Sequence, residues 1–256
     1  YDGYYGIKSQ ARLPEMMTGD RWWEYHQDAY IATSKWNPDG TLDMASFISG
    51  LSGNGTNDLL FERAANHEYY DWYDLVLKDG TQQNHHLSIS GRSKEGISYV
   101  FGVGYQAEEG LIDKESIDKY SVKGNINHQI SAKWQAGANV NFSLTQQEMG
   151  SSIAMQEAFR LNPLLSPYDE EGNLYPQPGK FINSEGKQVT NKTSTYNPLL
   201  EIANSSDERR NYSILGNFYL EFKPIQNLAL KSTLAYGAFN NRTGSLLGSS
   251  NQYRTE

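Results

Sequence analysis

Cysteine is absent from the 256 residues, which excludes disulfides, thiolate metal sites and cysteine nucleophiles. The absence also suits an oxidising compartment. Missing too is any run of about 18 apolar residues. With a mean hydropathy of −0.68, this excludes a helical membrane protein. A membrane β-barrel is untouched by the argument, because half its strand residues face water or protein filling. The net charge is −8, with acidic and basic residues mixed along the chain. With no basic stripe to neutralise phosphates, no nucleic-acid partner is expected. No glycine-rich phosphate cradle and no G-x-S-x-G elbow occurs. The chain opens YDGYYGIKSQ, with neither an initiator Met nor a signal peptide, and closes NQYRTE in loop-like sequence. A fragment is the expectation.

What the chain does have is aromatics (18 Tyr, 9 Phe, 5 Trp) and alternation. In YSVKGNINHQISAKWQAGANVNFSL, Tyr120, Val122, Ile126 and Ile130 alternate with polar neighbours. After a short reversal, Trp134, Ala136, Ala138, Val140, Phe142 and Leu144 do the same. Such alternation predicts two antiparallel strands with one apolar and one polar face. His128 interrupts the apolar face and fits only beside the turn. Five more segments carry the pattern: 1–8, about 82–90, 97–106, 211–223 (with Phe218 and Leu220) and about 227–239.

The connections sort by length. GRSKEG, ISAK and KPIQN are tight, whereas 9–80, 107–116 and 146–210 are long. Tight turns alternating with long loops is the habit of an up-and-down barrel of the outer-membrane type. Strands of ten to fourteen residues exceed the globular norm and match a tilted membrane span. The expected fold is all-β: a fragment of a large antiparallel transmembrane barrel, about seven strands forming an open curved sheet. Residues 9–80 and 146–210 are then long extracellular loops carrying short helices. On this reading Tyr120, Val122, Ile126, Val140, Phe142, Leu144, Phe218 and Leu220 face lipid. The alternative is a secreted or surface β-sandwich that binds carbohydrate.

Within the loops, TGDRWWEYHQDAYIATSKW predicts a helix capped by Asp20, with Trp22, Tyr25, His26 and Ala29 on one face and a turn at Asn37–Gly40. SSIAMQEAFRLNP predicts a second helix stopped by Pro163, and SPYDEEGNLYPQPG and INSEGKQVTN predict turns. Trp22, Trp23, Trp36 and Trp72 are candidates for ligand or lid contact, weighed against plain packing. His85 and His86 point to opposite faces of a strand and cannot share an ion. His26, His67 and His128 lack a partner at ligand spacing. Asp169–Gly172 reads as a turn rather than a Ca²⁺ loop. Neither Glu108/Glu109 nor Asp71/Asp74 has the setting of a hydrolytic carboxylate pair. No metal, no cofactor and no enzymatic activity is expected.

LVLKDGTQQNHHLSISGRSKEGISYVFGVGYQAEEGLI resembles the early barrel region of the SusC/RagA-type TonB-linked outer-membrane transporters. Asn84, Leu87, Ser88, Ser90 and Gly91 match an N-x-x-[LV]-S-x-[ST]-G strand, and Tyr99, Tyr105 and Gly110 the aromatic strand and loop after it. DKYSVKGNINHQISAKWQAGANVNFSL is similar to the next hairpin. NPLLSPYDEEGNLYP and NPLLEIANSSDERRNYSILGNFYLEFKPIQNLALKS resemble a later loop and strand pair. The resemblance implies a barrel of about 22 strands in the outer membrane of Bacteroidetes, with a plug domain and a TonB-contacting segment upstream of this stretch. It also implies import of oligosaccharides or peptides, and a SusD-type lipoprotein as lid.

Overall fold

The computed structural model describes residues 1–17, 19–47, 58–169, 171–182, 186, 188–190 and 196–252. The chain divides into two compact units. The first comprises Tyr1–Ser9, Asp79–Gly150 and Ser206–Ser245, and the second Gln10–Lys78, Ser151–Ser205 and Leu246–Glu256.

The first unit is one antiparallel sheet. Its strands are β1 (Asp2–Lys8), β2 (Gly80–Arg92), β3 (Ile97–Glu109), β4 (Ser116–Gln129), β5 (Trp134–Glu148), β8 (Ser205–Ile225) and β9 (Leu228–Leu247), which lie side by side in that order. All seven segments of alternating sequence are strands. Each neighbour in sequence is a neighbour in space once the short strands β6 (Lys180–Ile182) and β7 (Gln188–Thr190) are set aside, as an up-and-down arrangement requires.

Tight turns close three hairpins at one end of the strands. Between β2 and β3, Ser93 N–H donates to Ile97 O (2.7 Å) and Gly96 takes φ +80°, a conformation open to glycine without a Cβ penalty. Between β4 and β5, Ile130 N–H donates to Trp134 O (2.9 Å), and Ser131 Oγ accepts from the amides of Lys133 and Trp134. Between β8 and β9 only residues 226–227 remain.

One expectation is corrected here. The supposed long connection 107–116 shrinks to 110–115, because β3 and β4 stay paired up to Glu109–Ser116. Gly110 N–H closes it by donating to Glu115 O (2.8 Å).

Among the described residues the sheets number two, and the second has only two strands, too few for the other layer of a sandwich. The other pairing is the small hairpin β6 (Lys180–Ile182) with β7 (Gln188–Thr190), within the stretch read as turns.

The second unit holds the short helices and nearly all of the buried apolar side chains. Its helices are α1 (Gly19–Thr33), α2 (Asp58–Ala65), α3 (Trp72–Val76), α4 (Ala154–Arg160) and α5 (Pro198–Ala203). Leu60, Trp72, Val76, Leu164 and Leu165 are buried there. Asp71 caps α3 by accepting from the amides of Tyr73 and Asp74, and Asn197 caps α5 by accepting from Leu199 N–H. α4 ends as predicted, with Leu161 extended two residues before Pro163.

The turn at Asn37–Gly40 closes through Gly40 N–H to Asn37 O. Asp20, in contrast, is no cap. It lies inside the first turn of α1, where its carboxylate accepts from Tyr69 Oη and from His67 Nδ1 (2.8 Å). These two bonds, Tyr69 first, hold its pKa below the ordinary value. Nor does α1 bury the predicted face, since Tyr25 and Ala29 are exposed. Trp23 instead meets Phe61 edge-on.

Candidate functional site

The register of the sheet decides which side chains share a face. Reading across β3, β4, β5 and β8, successive rows are Tyr105–Tyr120–Leu144–Tyr212, Val103–Val122–Phe142–Ile214, Phe101–Gly124–Val140–Gly216, Tyr99–Ile126–Ala138–Phe218 and Ile97–His128–Ala136–Leu220. Trp134 and Phe222 close the series next to the turns, their rings stacked at 4.4 Å. All eight residues expected on the apolar face therefore lie on it together. His128 stands in the row beside the turn, where its polarity is tolerable.

Side chains across this face are exposed. Val122 is 48% exposed and Phe218 47%, and no apolar side chain of the seven strands is buried. A soluble protein rarely leaves so large an apolar surface bare.

The band has sharp limits. One row beyond Tyr105–Tyr120–Leu144–Tyr212 comes Ala107–Asp118–Gln146–Arg210, and Tyr105 Oη turns away from the band to donate to Asp118 (2.8 Å). From Trp134 to Leu144 is about 34 Å along a strand rising about 3.4 Å per residue. A tilt of about 40° leaves about 26 Å of height, close to the apolar belt of an outer-membrane barrel.

The opposite face is polar and hydrogen-bonded within itself. Asn127 and Tyr219 stand on either side of Gly137 in one row, and Tyr219 Oη donates to Asn127 Oδ1 (2.7 Å) across the glycine. Gln135 Nε2 donates to Tyr219 Oη (3.0 Å), Asn127 Nδ2 to Asn125 Oδ1 (2.7 Å), and Lys231 Nζ sits 4.1 Å from the Tyr219 ring. Nearer the long connections, Lys8 pairs with Glu108. The sequence alone did not assign this network. Its one signal was a glycine inside a strand, which marks close approach of another group. His85 and His86 do part: His85 stacks between Tyr1 and Tyr105 in the aromatic row, whereas His86 lies over Gly102 on the polar face.

In the second unit, a cavity of about 270 Å³ lies between α1, α3 and α4, lined by Met16, Met17, Trp22, Tyr73, Phe159 and neighbours. Trp22 stacks on His26 at 3.7 Å. Tyr73 Oη is buried without a partner. Burial, and then the Asp71 carboxylate, raise the Tyr73 pKa above its ordinary value, so the phenol keeps its proton. Of the four tryptophans singled out, Trp22 and Trp23 are half-buried and Trp36 is 56% exposed. Trp72 is 3% exposed, its Nε1 donating to Asn162 O, and it packs in the core at the wall of this cavity. Among the described residues no group of three or more His, Asp or Glu is placed to hold a metal.

No family model matches the chain. It is similar to TonB-dependent receptor P26 of Formosa agariphila, 28% identical over 165 residues that cover 64% of this chain and 16% of that protein. TonB-dependent receptor P3 of the same organism is 25% identical over 227 residues, covering 80% of this chain and 21% of that one. TonB-dependent receptor SusC of Bacteroides thetaiotaomicron is 22% identical over 165 residues, covering 60% and 16%. The chain thus spans about a fifth or less of the length of these relatives. Its fold matches the RagAB peptide importer in the open-open state, with a TM-score of 0.66 at 20% identity over 99% of this chain and 29% of that one. The closed-closed state gives 0.64, with the same identity and coverage. The chain is thus similar in sequence to segments of TonB-dependent receptors, and in fold to part of the RagAB importer.

Proposed function

We propose that this segment forms the early strands of a nutrient importer in a Gram-negative outer membrane, driven through TonB and carrying oligosaccharides or peptides. The uncovered apolar face carries the proposal. Hydrocarbon is the solvent that Leu87, Val122, Ile126 and Phe218 require, and strand pairing consumes the backbone hydrogen bonds that lipid cannot accept. The polar face, rich in Asn and Gln, suits a lumen that is hydrated or filled by a plug. TonB contact would come from a segment outside this chain. A SusD-type lipoprotein would lie over the outer connections 9–80 and 146–210, and Trp22, Trp23 and Trp36 are the aromatics there able to meet lid or ligand. The segment has no chemistry of its own.

The test is a pair of substitutions in the full-length transporter. Ile126→Arg places a cation in the fourth of the six apolar rows, the third from the tight turns, and should cost about 2–4 kcal/mol. Asn125→Arg, next in sequence but on the polar face, should cost far less. Folded barrel is counted by heat-modifiable migration of outer-membrane fractions. Equal losses at the two positions would defeat the assignment of faces.

A further inference from the structure

Beyond its aromatic limit, the apolar face continues into two rows that are polar and carry charges of both signs. They are Asp118–Gln146–Arg210 and, one step further, Ser116–Glu148–Glu208. These six residues line a cleft of about 180 Å³. Arg209, also in the lining, belongs by register to the opposite face. The cleft therefore opens on the side of the sheet proposed to meet lipid. It lies one row past Tyr120 and Tyr212, and such aromatic girdles mark headgroup depth.

The charges in the cleft are only partly used. Glu148 is engaged, accepting from Ser206 Oγ (2.8 Å) and Asp207 N–H (2.6 Å). Asp118 accepts from Tyr105 Oη through Oδ1, one of the several bonds a carboxylate can take. Arg210 and Glu208 stand 3.7 Å apart, with side chains 46% and 59% exposed. That is longer than a charge-assisted hydrogen bond, and an exposed pair of this kind holds neither partner firmly. Asp118 and Arg210 lie two strands apart, about 10 Å. A phosphate and an ethylammonium, with a hydrogen bond at each end, span that gap.

We infer that this cleft is a site for a lipid headgroup bearing a phosphate and a primary ammonium, with the phosphate on Arg210 and the ammonium on Asp118 and Glu208. An anionic headgroup without the amine would bring its phosphate against carboxylates that outnumber the guanidinium on this face, which repels it. A quaternary ammonium has no N–H to donate to those carboxylates. Acyl chains descending from the headgroup would run along the apolar rows that begin with Tyr120, Leu144 and Tyr212, so the occupant is a lipid rather than a free headgroup.

The inference rests on the import reading for its membrane. The full-length transporter in detergent is titrated with the dihexanoyl forms of phosphatidylethanolamine, phosphatidylcholine and phosphatidylglycerol, and bound lipid is counted by native mass spectrometry. The ethanolamine lipid should bind about tenfold tighter than the other two, from charge-assisted hydrogen bonds they cannot make. Asp118→Asn should remove that preference, and its amide oxygen can still accept from Tyr105 Oη, which keeps the local fold. Arg210→Gln should weaken all three lipids, since each carries the phosphate. Lys119→Gln, next in sequence to Asp118 but on the polar face, should change neither. Water-soluble glycerophosphoethanolamine should not displace the ethanolamine lipid.

Binding of none of the lipids, equal binding of all three, or preference for the glycerol lipid would overturn the inference. So would an unchanged preference in Asp118→Asn, unchanged affinities in Arg210→Gln, or displacement by the water-soluble headgroup. Failure of the transporter to reach the outer membrane would instead count against the import reading.

Discussion

At the scale of residues, glycines and one buried carboxylate decide most. A Cβ built at Gly137 would lie 2.3 Å from the Tyr219 ring and 2.6 Å from Asn127 Oδ1. Gly137→Val must therefore displace the tyrosine and break the bond it spans, at about 1–3 kcal/mol. Gly244 has nothing within 4 Å, so Gly244→Val should be close to neutral. The melting temperature of the heat-modifiable form distinguishes the two.

Glu201, 1% exposed in α5, accepts from Asn251 Nδ2 (2.7 Å) and Gln252 N–H (2.9 Å). Burial foremost, with the Glu157 charge adding to it and the Gln252 amide opposing, raises its pKa above the ordinary 4.5. The folded state then holds this proton more tightly than the unfolded state. Its contribution to stability is full below about pH 4.5 and is lost as pH rises through the raised folded value. Glu201→Gln should flatten this part of the pH dependence. The check is the difference between wild-type and variant melting temperatures across pH 4–8. A difference that does not vary with pH would contradict it.

At the scale of elements, the sequence disclosed the middles of strands better than their ends. Alternation located β3 to within three residues, 97–106 against Ile97–Glu109, yet β8 begins at Ser205, six residues before the pattern. The reason lies past the aromatic row. Beyond that row both faces of the strand are polar, as in Ser205–Asn211, and period two leaves no trace. The same blindness made 107–116 look like a long loop. Asp20 was misassigned for a different reason: its partners His67 and Tyr69 are remote in sequence, and tertiary bonds outweigh a capping preference.

Connection lengths also carry a prediction about sides. The turn at Asp169–Asn173, closed by Asp169 Oδ1 accepting from Asn173 N–H (2.7 Å), belongs to a long connection, and residues 226–227 to a tight one. An epitope tag inserted after Gly172 should be stained on intact cells. One inserted between Gln226 and Asn227 should need permeabilised cells. Staining of both on intact cells would invert or abolish the proposed topology.

At the scale of the whole molecule, the sheet is a surface with two unlike sides and two unfinished edges. Among the described residues β1 pairs only with β2, and β9 only with β8. Each edge presents backbone donors and acceptors that a further strand would take up. No apolar side chain of the seven strands is buried, and the proposed function assigns hydrocarbon to that side. The absence of cysteine makes this testable without background labelling from the segment. Ile126 and Asn125 are adjacent, yet one lies in the row with Tyr99, Ala138 and Phe218 and the other in the row with Val100, Asn139 and Asn217. In the full-length transporter in its membrane, Ile126→Cys should react with a lipid-soluble maleimide and resist a charged one. Asn125→Cys should show the weaker response to the lipid-soluble reagent, because a membrane path reaches only one side of the sheet. If another protein layer, rather than hydrocarbon, met the apolar rows, neither reagent would separate the two positions. Strong labelling of Ile126→Cys by the charged reagent would mean that water bathes that side.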